Sequence, residues 1–157
     1  MTGSVRGIGG GFEITFHGVR GSTPCHGEST SRYGGNTSCV SMAVPGHDPI
    51  LFDLGTGLRY FGVGFPQNLV FHGTCLLSHL HWDHVGGLAA VLGLRWMNNF
   101  STPITVYGPP GTGEVVAGII ASLRPQERVG FGTGAAVLDP AANIAVVELS
   151  AGQQVEL

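Results

Sequence analysis

"SHLHWDHVGGL", residues 78–88, is the stretch on which the reading of this chain turns. It sets His79, His81, Asp83 and His84 close together in a chain that has 7 histidines in all. The apolar run "TCLLSH" (74–79) leads into it, short and bounded by turn residues, as expected of a buried strand. In an extended segment residues i, i+2 and i+4 share a side, so His79, His81 and Asp83 are expected to converge at the strand end, with His84 turning beside them. Gly86 and Gly87 then let the backbone pass close to an ion or substrate before a helix begins. Zinc takes histidine nitrogens and carboxylate oxygens at about 2.0–2.2 Å, and other divalent ions accept similar sets. A single histidine here would read as a packed or hydrogen-bonded side chain. Four such donors leaving one strand end would be costly to crowd and desolvate without a metal.

Working outward, "FEITFHG" (12–18) alternates apolar and polar residues as a half-buried strand does, and residues 1–11 are expected to be a flexible leader. The following stretch, 18–38, is rich in Gly, Ser, Thr and Pro and too long for a passive connection, which suggests a binding loop. Further strands are expected at "CVSMAV" (39–44), "PILFD" (49–53) and "ITVYG" (104–108). One helix is expected over 84–98 and a second over 113–125, stopped by Pro125. The tail 143–157 reads as one strand and the opening of another. "GPPGTGE" (108–114) lacks the Lys-Ser/Thr ending of a phosphate-binding loop and reads as a strand-to-helix turn. Strands alternating with helices make this an α/β chain, with a single domain over 12–157.

Composition narrows the function classes. With 157 residues, 43% hydrophobic and 11% charged, the chain can bury a sizeable core and is not of disordered type. A net charge of −3 leaves no general basic footprint for nucleic acid. Cys25, Cys39 and Cys75 form no CxxC pair, so neither a disulfide framework nor a thiolate zinc knot is expected, and a cytoplasmic location is the simpler reading. No stretch reaches about 18 uninterrupted apolar residues, so no membrane span is expected.

The motif "SHLHWDHVGGL" resembles the HxHxDH signature of the metallo-β-lactamase fold hydrolases, and "LFDLGTGLR" (51–59) resembles their Asp-x-Gly-x-Gly segment. The pair "GVRGSTP" (18–24) and "RYGGNTSCV" (32–40) is similar to the branch that holds cyclic phosphodiesterases, phosphoribosyl cyclic phosphodiesterases and Z-type tRNA 3′-processing ribonucleases. The resemblance implies an αββα sandwich. It also implies two divalent metal ions, zinc first and manganese as the alternative, with His79 and His81 on one, Asp83 and His84 on the other, and a metal-held hydroxide as nucleophile. Asp83 would thereby count as catalytic. Asp53 would either orient the ligands from behind or simply cap its loop. Arg20, Ser22, Thr23 and Asn36 are candidates for substrate binding, against a reading of 36–38 as capped turns. The expected substrate is a small cyclic phosphate or nucleotide. RNA ranks below it as the one nucleic-acid partner considered, and a thioester or other carbonyl substrate remains an alternative.

Two metals sharing a bridge need more than four protein donors. After Tyr107, Asp139 is the only histidine or aspartate, and its surroundings do not match the later ligands of the family. The chain therefore corresponds to the first half of that sandwich and a little more. Two explanations stay open: a truncated metal-binding half-domain of weak or absent activity, or a site completed across a homodimer.

Overall fold

The computed structural model describes residues 3–6, 11–30, 32–63, 73–129 and 139–157. The alternating stretch 12–18 forms β2 (Glu13–Gly18), flanked by β1 (Gly3–Arg6) and β3 (Cys39–Ala43), with β4 (Ile50–Phe52) next. These four strands pair antiparallel. From β4 the sheet continues in parallel through β5 (Gly73–Leu76), β6 (Ile104–Gly108) and β7 (Ile144–Glu148). Spatial order follows chain order across all seven strands. Parallel neighbours need crossover connections, and helices supply them: α2 (Trp82–Val85) and α3 (Leu88–Met97) between β5 and β6, and α4 (Thr112–Glu127) between β6 and β7. A short helix, α1 (Leu58–Val63), follows β4 and packs on β2.

The two faces of the sheet differ. One carries Cys39, Leu51, Cys75, Ile104 and Val106, all fully buried, in one core with Phe61 of α1, Val85 of α2, Leu88, Val91 and Leu92 of α3, and Val116 and Leu123 of α4. Each such aliphatic side chain contributes about 1.5–3 kcal/mol by leaving water. On the other face the register aligns Phe16, Val40, Phe52, Leu76, Tyr107 and Val147 in one row across six strands. Phe16 and Phe52 in that row are exposed. The architecture is thus one sheet with its helices on one side, the first half of the expected sandwich.

Four expectations change. Residues 3–6, expected within a flexible leader, pair with β2 as β1, while 7–10 lie outside the described residues. The single helix over 84–98 is two helices, because the backbone at Gly87 donates to the Leu54 carbonyl (2.6 Å) while Leu54 donates to that of His84 (2.7 Å). These bonds tie the turn between α2 and α3 to the loop after β4. Helix α4 runs past Pro125 to Glu127. A proline this close to the end forfeits one backbone bond on an exposed turn, and Arg124 reaches both Glu127 and Asp139 there. Residues 153–157 form no strand: the tail turns after β7, with Gln153 donating to the Ser150 carbonyl (3.2 Å). All three cysteines are free. Among the described residues no helix is long and apolar enough to cross a membrane.

Candidate metal centre

Three loops meet at the carboxyl edge of β4 and β5: residues 53–57, residues 77–81, and the long loop 19–38 that follows β2. In open α/β sheets ligands bind outside the carboxyl ends of the strands. Here Asp53 joins the loops. It is buried and sits at φ 56°, a left-handed conformation uncommon outside glycine. Its carboxylate accepts from the Ser78 amide (2.8 Å), the Ser78 hydroxyl (2.9 Å), the Ser38 hydroxyl (3.1 Å) and His84 Nδ1 (2.6 Å). A buried carboxylate needs such donors, and these come from the residue before β3, the loop after β5 and helix α2.

Close backbone approach makes this arrangement possible. A Cβ at Gly55 would lie 2.1 Å from the Asp83 carbonyl and 2.3 Å from Thr37 Oγ1, so only glycine fits. Thr37 and Thr56 lock the loops reciprocally, each amide donating to the other's hydroxyl at 2.9 and 2.8 Å.

His79, His81, Asp83 and His84 come together, though by a different route from the one expected. Strand β5 ends at Leu76, and His79 and His81 lie on the loop beyond it. His81 caps α2, and Asp83 and His84 belong to that helix rather than to an extended segment. The rings of His79 and His84 have centroids 4.0 Å apart, and those of His79 and His81 4.7 Å. Asp83 Oδ2 accepts from the Ser22 amide at 2.7 Å and stands 3.4 Å from His84 Nε2. Burial works to raise the Asp83 carboxyl. The Ser22 and Asp83 amides, with the imidazoles of His84 and His79, outweigh it and hold the group below the ordinary carboxylate value.

The donor set suits a borderline divalent ion. Asp53 can only accept, so Nδ1 is the nitrogen that donates, and Nε2, 3.4 Å from Asp83 Oδ2, is the one left for a ligand. Ligand bonds of about 2.0–2.2 Å in a tetrahedron give donor–donor edges of roughly 3.3–3.6 Å. The 3.4 Å between His84 Nε2 and Asp83 Oδ2 has that length. Among the described residues, however, no three His, Cys, Asp or Glu side chains are placed around one point as a finished site would require.

Of the expected substrate residues, Ser22 reaches the cluster through its amide rather than its hydroxyl, at φ 57°. Arg20 and Asn36 pair through backbone, the Arg20 amide donating to the Asn36 carbonyl at 3.0 Å, and the Arg20 side chain stays exposed. Thr23 is exposed beside them. The sequence reading missed Ser78, whose amide and hydroxyl both serve Asp53; the signal was a serine directly preceding the first histidine. It also missed Glu148, whose Oε1 accepts from the Gly111 and Gly113 amides, both at 2.9 Å, at the start of α4.

The class is that of the fold: the chain has the metallo-β-lactamase fold, present here as its first half. The short form of human tRNase Z superposes on it with a TM-score of 0.59 and 23% identity, over 86% of this chain and 43% of that one. The metallo-β-lactamase fold protein YhfI from Bacillus subtilis does so with a TM-score of 0.57 and 16% identity, over 93% of this chain and 48% of that one. The sequence is similar to ribonuclease Z of Mycobacterium avium, 39% identical over 87 residues, which are 54% of this chain and 31% of that protein. The chain thus spans less than half the length of these three proteins. No family model matches it.

Proposed function

We propose that this chain carries the metal-binding half of a metal-dependent phosphodiesterase that acts on RNA. The observation that carries the reading is the relay Asp53–His84–Asp83. A buried carboxylate orients the imidazole through Nδ1, and the other ring nitrogen and a second carboxylate stand one ligand edge apart at the carboxyl ends of the parallel strands β4 and β5. His79 and His81 would hold one ion, Asp83 and His84 another. Zinc is the first choice on donor type and manganese the second. Divalent ions bound there would supply Lewis acidity and an acidified water for in-line attack at phosphorus. The chain's own residues do the rest. Asp53 keeps the His84 proton on Nδ1, the Ser22 amide keeps Asp83 ionised and turned inward, and the exposed Arg20 guanidinium offers a bidentate grip on a phosphate.

Small cyclic phosphates stood ahead of RNA on sequence alone. The similarity to a ribonuclease Z and to a tRNase Z supports the reverse order. A second reading, a metal-binding chain with little or no turnover, is favoured by the absence of a three-donor group among the described residues. Incubation of the purified protein with zinc or manganese and a tRNA-like transcript, beside cyclic nucleotides, separates these readings. RNA cleavage lost in His81→Ala supports the proposal. Opening of cyclic nucleotides with RNA intact would redirect it to small substrates, and tight metal binding without turnover would leave the second reading standing.

A further inference from the structure

Trp82 lies between two of the cluster's residues, His81 and Asp83, at the first position of α2. It is 62% exposed, whereas the chain's other tryptophan, Trp96, is 4% exposed in the core. An indole this open forfeits most of the benefit of burial, and no described neighbour covers it. It is nevertheless braced. A Cβ at Gly86 would meet the six-membered ring of Trp82 at 2.9 Å (Cε2) and 3.1 Å (Cζ2) and its carbonyl at 3.0 Å, so the ring rests on the bare backbone of α2. Glycine at that position lets the ring sit down. The result is a flat, electron-rich, solvent-open surface on the residue between His81 and Asp83.

We propose that Trp82 is a stacking platform for a nucleobase of the substrate. The inference rests on the phosphodiesterase reading and narrows it to substrates that carry a base. Consecutive Cα atoms are ~3.8 Å apart, so the Trp82 side chain leaves the backbone directly beside the residues that would hold a phosphate. Aromatic side chains recognise unstacked bases by face-to-face contact that tolerates any base. The chain's low charge fits this mode: with 7 basic residues against 10 acidic ones, it has little backbone electrostatics with which to hold RNA. A bare sugar phosphate gains nothing from such a ring.

The experiment titrates the zinc-loaded 157-residue protein with adenosine 5′-monophosphate and, separately, with ribose 5-phosphate. Both present the same phosphate, and only the first has a base. Tryptophan emission reads the contact directly, with buried Trp96 as a constant background. Saturable quenching by the nucleotide, none by the sugar phosphate, and calorimetric affinity for the nucleotide weakened on the order of tenfold in Trp82→Ala are expected. Trp82→Phe is expected to restore part of that loss. Equal binding of the two ligands, nucleotide affinity unchanged in Trp82→Ala, or no nucleotide binding at all would overturn the proposal. Hydrolysis of bis(4-nitrophenyl) phosphate, measured in parallel, tests the phosphodiesterase reading separately. Base-dependent binding without any turnover would count against that reading and leave the platform in place.

Discussion

Asp53 Oδ2 and His84 Nδ1 stand 2.6 Å apart, and this contact, made across 31 positions of sequence, decides which nitrogen of His84 is available to a ligand. Replacing Asp53 by Asn keeps the shape but allows the amide to donate, so the imidazole can adopt the wrong tautomer. Zinc affinity, measured by competition with a chromogenic chelator, is expected to fall about 10–100-fold, the usual cost of losing an orienting partner. Affinity unchanged in Asp53→Asn would remove the relay from the account.

His81 is exposed and caps α2 without a side-chain cap bond, so its imidazole does little for the fold. His81→Ala is expected to leave the thermal midpoint within about 2 °C while metal content by elemental analysis falls well below that of the parent protein. A large loss of stability with metal retained would assign the ring a packing role instead.

Gly55 lets the loop after β4 pass against the Asp83 backbone. Gly55→Ala must push that backbone aside, and a destabilisation of about 1–3 kcal/mol is expected in urea unfolding. Metal affinity should drop in the same variant, since the displaced atoms belong to the segment that carries Asp83 and His84.

His17 links stability to pH. Its Nε2 bonds the Ser41 hydroxyl at 2.8 Å, its ring meets Phe61 edge-on, and its buried Nδ1 has no partner among the described residues. Burial lowers its pKa below the ordinary 6.5. The unfolded chain therefore binds the proton more readily, so this group's contribution is intact above about pH 6.5 and is lost as pH falls below it. Unfolding free energy should decline between pH 7 and 5 by at most about 1.4 kcal/mol per pH unit for one proton. The decline should flatten in His17→Gln. An identical slope in that variant would assign the decline to other groups.

How much of this could be read from the chain alone depended on whether the cause was local. The alternation over 12–18 and the apolar runs at 74–79 and 104–108 carry their own period, and β2, β5 and β6 lie there. The histidine cluster was legible because its members are neighbours in sequence. The division of α2 from α3 was not, since it is imposed by Leu54, thirty-odd positions earlier. The role of Asp53 was open for the same reason: its partners Ser38, Ser78 and His84 are 15, 25 and 31 positions away. Nothing in the composition of 1–11 marked β1, a strand that exists only because β2 offers it an edge.

The row from Phe16 to Val147 leaves an apolar sheet face with Phe16 and Phe52 exposed. Faces of this kind drive association. Light scattering of the purified chain is expected to report species heavier than 16.3 kDa at micromolar concentration, and Phe52→Lys to raise the monomer fraction. A monomeric parent protein at those concentrations would show the face to be tolerated by water.

The carboxylate of Glu148 occupies the start of α4. A helix opening after a glycine-rich turn ordinarily attracts anions from solution, but here the vacancy is filled from within, by a side chain at the end of β7. The molecule thus silences this anion-seeking corner at the carboxyl edge of its sheet from within.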